Sequence, residues 1–322
     1  MAGELMLEKW SGRVSEVQIG ATKAEGGSRS SVVKIGGQAT LPFLFKEAAI
    51  PNKPVVAFEV WDMPPQDWSE ELTKHYGDCL KDPLLWAKKC VDEFKAELIC
   101  VRLQGAHPDF RDKTPEEEAK FINQLLKTVS VPLVILGCGD DNKDNLVLPA
   151  CCEASKNERC LVGNAVQDNY KTLTAAVSAD GHNIIAESPI DINIAKQLNI
   201  LISDMGLALE RIVINPTIGA LGYGLEYAYS IMERARLAAL SGDKTIALPF
   251  ICSVAQESWR AKEAKASIKE FPAWGNESER GIIWEVTTAV ALIQAGGDIL
   301  VMRHPKAIEK INKYINNLMA TK

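Results

Sequence analysis

From Pro54 to the C-terminus, short apolar runs alternate with helical patterns, and eight such pairs in succession predict a (β/α)8 barrel of the TIM-barrel class. An N-terminal β-hairpin precedes it. Three observations carry this reading. Most of the runs are continuously apolar rather than alternating, as strands covered on both faces require. The competing doubly wound open sheet calls for Gly-x-Gly-x-x-Gly after the first strand. Here Val60 is followed by Trp61-Asp62-Met63-Pro64-Pro65, with no glycine. A chain of 322 residues, 47% hydrophobic and 24% charged, also has the length and composition of one large folded barrel.

Residues 1–53 lie outside the repeat, and residues 54–322 form the barrel domain. In the extension, Arg13–Ile19 and Ser31–Ile35 read as two strands. Ala21–Ser30, rich in Gly, Ser and charge, reads as a flexible tip between them. The hairpin would cover the bottom of the barrel or add to a partner. The strands expected are Val55–Val60, Leu98–Leu103, Leu133–Leu136, Cys160–Val162, Ile184–Ala186, Ile212–Ile214, Ile246–Leu248 and Ile299–Met302. The helices expected are Leu84–Ala96, Pro115–Val129, Leu146–Ser155, Asn169–Ala179, Ile192–Leu209, Tyr227–Leu240, Ser258–Ile268, Ser278–Ala295 and Ala307–Leu318. Thr114-Pro115-Glu116-Glu117 is a strong helix start: an N-cap, a proline at the first position and acids in the first turn. Phe250–Glu279 is the longest interruption between strands, and an insertion of that length suits a lid or a docking surface.

A formal net charge of −6 and a pI of about 5.5 argue against nucleic acid, which needs concentrated basic surface. No polybasic run is present to hold an anionic membrane. The stretch Ile282–Ala295 is too short and too polar to span one, and Met1–Trp10 has no signal-like apolar core. The expected setting is the cytoplasm. None of the eight cysteines forms a Cys-x-x-Cys pair, which points to reduced core thiols in an anaerobic or reducing cytosol.

The most informative stretch is Asn215-Pro216-Thr217-Ile218-Gly219-Ala220-Leu221-Gly222-Tyr223-Gly224-Leu225-Glu226-Tyr227. It leaves the strand Ile212–Ile214 and enters a helix that Gly242 closes. Glycine permits close backbone approach, and a helix start offers unpaired N–H groups. Loops at the carboxyl ends of parallel strands carry function in such folds. The plainer reading is a tight connection with glycine for packing. Within this stretch Gly222-Tyr223-Gly224-Leu225-Glu226-Tyr227, with Gly36-Gly37-Gln38-Ala39-Thr40-Leu41-Pro42-Phe43 and Asp168-Asn169-Tyr170-Lys171 before it, resembles the small subunit of the corrinoid/iron–sulfur protein of the acetyl-CoA (Wood-Ljungdahl) pathway. The archaeal form of that family is the delta subunit of the acetyl-CoA decarbonylase/synthase complex.

The resemblance implies a barrel that pairs with a large subunit and shields a corrinoid (cobamide) at their interface. Cobalt would take methyl from methyltetrahydrofolate through a separate methyltetrahydrofolate:corrinoid methyltransferase. It would pass it to carbon monoxide dehydrogenase/acetyl-CoA synthase. The corrinoid-carrier motif Asp-x-His-x-x-Gly has its nearest match in Asp180-Gly181-His182-Asn183-Ile184-Ile185, which lacks the glycine. The four-cysteine cluster motif is missing as well. The lower cobalt ligand and the iron–sulfur cluster would then reside on the large subunit, and this chain would be a non-catalytic methyl-carrier subunit with no resident metal.

The residues following each expected strand are Asp62; Gln104, His107 and Asp109; Cys138, Asp140 and Asp141; Asn164, Gln167, Asp168 and Asn169; Glu187, Ser188, Asp191 and Asn193; Asn215 and Thr217; Pro249 and Cys252; Arg303 and His304. They contain no Ser-His-Asp order with nucleophile-elbow glycines and no paired metal histidines. Cofactor contact is expected from Asn215, Thr217, Gly219, Gly222, Tyr223, Gly224 and Asn276, which could cover an amide-edged ring. The rival is a barrel methyltransferase that binds methyltetrahydrofolate itself, for which Asp62, Asn164, Asp191 and Asn215 supply acids and amides at strand ends. A third reading is a structural barrel with no cofactor contact.

Overall fold

The computed structural model describes residues 7–320, so part of the Met1–Trp10 segment discussed above lies outside the described residues. Two antiparallel strands, β1 (Glu16–Ile19) and β2 (Val33–Gly36), form the hairpin. Eight parallel strands then close into a barrel. They are β3 (Val55–Trp61), β4 (Ile99–Arg102), β5 (Leu133–Leu136), β6 (Leu161–Ala165), β7 (Asn183–Glu187), β8 (Ile212–Asn215), β9 (Phe250–Cys252) and β10 (Gly297–Met302), with β10 paired to β3. The helices are α1 (Glu70–Thr73), α2 (Pro83–Asp92), α3 (Pro115–Thr128), α4 (Asp141–Ala154), α5 (Tyr170–Asp180), α6 (Ile192–Asp204), α7 (Leu225–Leu240), α8 (Val254–Ser258), α9 (Lys262–Lys265), α10 (Glu277–Gln294) and α11 (Pro305–Ala320). No helix among the described residues is long and apolar enough to cross a membrane.

Local chemistry sets the helix starts. The Asp82 carboxylate accepts the N–H groups of Leu84 and Leu85, with Pro83 opening α2. Thr114 and Glu117 form a reciprocal capping box at α3 (2.8 and 3.3 Å). Asp140, Asp191 and Asn276 cap α4, α6 and α10. In α11, Ala307, Ile308, Ile311 and Ile315 recur at helical spacing and are the buried face.

The barrel interior is filled by Val55, Ala57, Cys100, Val134, Leu136, Leu161, Ile185, Val213, Ile251, Ile299 and Val301. Val17, Ile19, Val33 and Ile35 of the hairpin continue that cluster, so the hairpin plugs the N-terminal end of the barrel. Asn183 at the start of β7 donates to the Gln18 carbonyl (2.8 Å). The tip of the hairpin is anchored rather than flexible. Arg29 is buried, pairs with Glu158 (2.8 Å) and donates to the carbonyls of Val129, Val131 and Leu126. A buried guanidinium with its donors satisfied holds a Gly/Ser-rich segment still.

Two expected elements are placed differently. The strand lies at Phe250–Cys252, not Ile246–Leu248. The apolar run Ile246–Leu248 instead packs beneath the barrel, where Ser15 N–H donates to the Ala247 carbonyl (2.8 Å). The ladder begins only at the Pro249 carbonyl, which accepts from Ile214 (2.8 Å). Pro249 and Cys252 therefore leave the mouth, and Ser253 and Gln256 take their place at its edge. The helix expected over Ser258–Ile268 is not continuous: α8 ends at Ser258, the extended Ala261 follows, and only the single turn α9 lies within that range.

Candidate functional site

The strands feed a polar layer just above the apolar interior, at the C-terminal mouth. Alternation along β3 turns Val55 and Ala57 inward and so also Glu59. Glu59 is fully buried and holds two guanidinium groups. Its Oε1 accepts from Arg102 Nε (2.8 Å), Arg303 Nη2 (3.1 Å) and Trp61 Nε1 (2.9 Å), and its Oε2 from Arg303 Nε (2.8 Å). Although burial opposes ionisation, the two arginines hold its carboxyl down to about 2. Arg303 is sandwiched against Trp61 and Trp68, at 5.3 and 4.6 Å from their ring centres. Arg102 donates onward to Gln256 Oε1 (2.7 Å).

Across the mouth, Asn215 Nδ2 donates to Glu187 Oε2 (2.7 Å), while Asn215 Oδ1 accepts from Thr217 N–H (3.2 Å). Thr217 has a left-handed backbone (φ 52°), a strained state for a β-branched residue. Its hydroxyl donates to the Ser188 carbonyl (2.7 Å), which helps fix it there. Burial raises the Glu187 carboxyl, and Arg102 and Asn164 oppose that rise. The buried Asn164 Oδ1 on β6 has no hydrogen-bond partner. A buried amide oxygen left unpaired costs about 1–3 kcal/mol and invites a donor.

The glycine loop after β8 is tied to the insertion. Trp284 Nε1 donates to the Leu221 carbonyl (3.1 Å), and Leu221 N–H to Thr288 Oγ1 (3.2 Å). Tyr223 is half exposed, and its hydroxyl donates to Glu263 Oε2 (2.8 Å). Gly219 sits beneath the loop, where an added Cβ would come within 2.3 Å of the Tyr223 carbonyl oxygen. Gly222 (φ 75°) and Gly224 (φ 95°) form its outer edge, and Gly224 caps α7. The structure thus brings Asn215 and Thr217 into the mouth and places Gly219, Gly222, Tyr223 and Gly224 on its rim. Asn276 stands apart, exposed, with Oδ1 accepting from Ser278 N–H (3.0 Å) as the cap of α10.

Several of the other strand-end groups have structural partners. Asp62 accepts from Gly105 N–H (2.7 Å) and Lys113 (2.5 Å), and Asp191 caps α6. His107 faces Asp109 in its own loop (3.8 Å). His304 is buried, stacks on Trp259 and has its N–H held by Glu285. His182 lies in the core, where its Nδ1 accepts from Cys160 N–H (3.1 Å) and its Nε2 donates to the Cys152 carbonyl (2.9 Å). All eight cysteines are free thiols, and burial pushes those of Cys138 and Cys160 up to about 12. Glu59, Arg102 and Gln256 were missed from sequence. The available signal was an acid and a basic residue inside otherwise apolar strands, at positions where the alternation faces inward.

Several delta subunits of the acetyl-CoA decarbonylase/synthase complex are similar to this chain. That of Methanocaldococcus jannaschii is 38% identical over 317 residues, covering 98% of this chain and 76% of the relative. That of Methanosarcina mazei is 36% identical, covering 98% and 73%. Among solved structures, the barrel resembles dihydropteroate synthases. One is that of Xanthomonas albilineans with 4-aminobenzoic acid, at 14% identity, TM-score 0.56, and 85% and 96% coverage. Another is that of Yersinia pestis in a sulfonamide drug complex, at 14% identity, TM-score 0.57, and 84% and 95% coverage. At that identity the likeness is one of fold. That shared fold corrects the expectation of a non-catalytic subunit, in that the same barrel occurs in enzymes, the dihydropteroate synthases. Residues 16–315 match the family described as the CO dehydrogenase/acetyl-CoA synthase delta subunit, and the chain belongs to that family.

Proposed function

We propose that the barrel mouth binds a methyl-bearing reduced pterin directly and presents it for methyl transfer within the acetyl-CoA decarbonylase/synthase assembly. The observation that carries this is a buried amide oxygen without a partner, Asn164 Oδ1 on β6, beside the Glu187 carboxylate on the adjacent strand β7. The pyrimidine edge of a pterin offers adjacent N–H donors, which is the complement of that pair. Asn215 acts as a positioning residue. Its Oδ1 is engaged by Thr217, so its Nδ2 is turned onto Glu187 Oε2 and fixes that carboxylate beside Asn164. The fold likeness to dihydropteroate synthases supports the same reading.

The methyl acceptor in this reading is a corrinoid held jointly with the large subunit, whose cobalt supplies the methyl-accepting chemistry when bound. The rim loop fits such a planar ring. Gly222 is exposed, and an added Cβ there would meet only Trp284, at 3.9 Å. This chain's own residues would orient the pterin and exclude water from its reacting edge.

Titration of the chain with methyltetrahydrofolate, followed by tryptophan fluorescence and calorimetry, tests the proposal. Saturable binding is expected. Asn164→Ala and Glu187→Gln should weaken it at least about tenfold, or roughly 1.4 kcal/mol, with unchanged circular dichroism. No binding to the wild-type chain would refute the pterin reading.

A further inference from the structure

The two halves of the mouth have opposite hydrogen-bonding character. The β6–β8 half carries the unpaired Asn164 oxygen and the Glu187 carboxylate described above. In the β10–β3–β4 half, the Glu59 and Gln256 acceptors are taken and the groups left over on Arg102, Arg303 and Gln256 are donors. Glu59 is saturated by four N–H groups. Gln256 Oε1 is taken by Arg102, which leaves its Nε2 as the free end of the amide. Arg102 Nη1 and Arg303 Nη1 have no acceptor among the described residues, and neither is a buried atom lacking a partner. They are therefore open to solvent, although the side chains are only 11% and 6% exposed.

Charge points the same way. Two guanidinium groups share one carboxylate, so the cluster holds one positive charge in excess. The other acids in electrostatic reach are Glu187, facing Arg102, and Glu285, whose carboxylate takes the Arg303 N–H (2.7 Å). Burial raises both of these carboxyls, which weakens them as counter-ions. The indoles of Trp61 and Trp68 pack against the Arg303 guanidinium and hold its plane in place. A partly buried cationic cluster with free, geometrically fixed donors is complementary to an oxyanion.

We propose that Arg102 Nη1, Arg303 Nη1 and Gln256 Nε2 form a subsite for a small oxyanion, a carboxylate or a phosphate group. Glu59 is its positioning residue, because both guanidinium groups donate to the same oxygen. The subsite goes beyond the pterin reading and does not depend on it.

The test is thermal denaturation and calorimetry of the full chain with sodium phosphate, and separately with acetate, each against chloride at matched ionic strength. Phosphate should stabilise the chain saturably, where chloride does not. Gln256→Leu, which leaves both arginines in place, should weaken phosphate at least fivefold. Arg102→Gln should abolish the effect. Arg260→Gln, an exposed arginine paired with Glu257, should behave as wild type. Titration of methyltetrahydrofolate with and without phosphate separates the sources. Competition assigns the subsite to an acid group of that ligand, and independent binding assigns it to a separate anion; either result upholds the subsite. No saturable effect of phosphate or acetate beyond chloride would overturn it. So would equal affinities in wild type, Gln256→Leu and Arg102→Gln.

Discussion

Replacing Glu59 with glutamine should cost this barrel about 3–5 kcal/mol at neutral pH. The carboxylate is fully buried and accepts four N–H groups, three of them from Arg102 and Arg303. Glutamine keeps the volume, removes the charge and turns an NH2 group toward guanidinium donors. Removing one partner of a buried ion pair strands the other, and here two cations are stranded. An independent route gives a similar magnitude. The carboxyl is held from an ordinary 4.5 down to about 2, and a displacement of that size corresponds to roughly 3 kcal/mol. The sign follows from linkage. A depressed folded value means the stabilisation is present above pH 4.5 and is lost as pH falls from 4.5 to about 2. Urea denaturation of wild type and Glu59→Gln at pH 7, and again through that acid window, reads both effects. The melting temperature of the variant should fall by roughly 6–10 °C at pH 7, and the gap between the two proteins should close as the acid window is crossed. A variant within about 1 kcal/mol of wild type at pH 7, or a gap indifferent to pH, would refute the argument.

Pterin affinity should fall as the medium is acidified through the Glu187 titration, which burial shifts upward, because only the ionised carboxylate accepts two N–H groups; a titration series from neutral pH downward checks this, and Glu187→Gln should flatten the profile. Glu285 shifts the opposite way for stability. Its carboxyl is raised to about 7, so the folded chain loses stability as pH rises from 4.5 to about 7, and wild type should lose roughly 3 kcal/mol more than Glu285→Gln between pH 5 and pH 8. Gly219→Ala should destabilise by about 1–3 kcal/mol and displace the Tyr223 rim, since its Cβ would meet backbone at 2.3 Å. Gly222→Ala should cost about 1–2 kcal/mol from its left-handed backbone alone and leave the rim in place, as comparison of the two variants' melts and structures would show.

The barrel was legible in the sequence because its signals are local. Continuous apolar runs mark strands covered on both faces, and Thr114 announces a helix start through hydrogen bonds within three residues, whereas Asp191, read as a strand-end group, caps α6. The missed strand at Phe250–Cys252 shows the limit of that logic. Ile246–Leu248 is as apolar and as buried, and only contact with the N-terminal segment distinguishes a run beneath the barrel from one within its wall. The fate of the hairpin was likewise a tertiary matter, since Arg29 finds its acceptors about a hundred residues away. The mouth divides the same way. Sequence placed Asn164, Glu187, Asn215 and Arg303 at strand ends by counting. Their pairing, and the presence of Glu59 and Arg102 in the same layer, arises only when closure of the sheet brings β3, β4 and β10 side by side. A buried charge is tolerable only beside its partner, and here that partner is 244 residues distant along the chain.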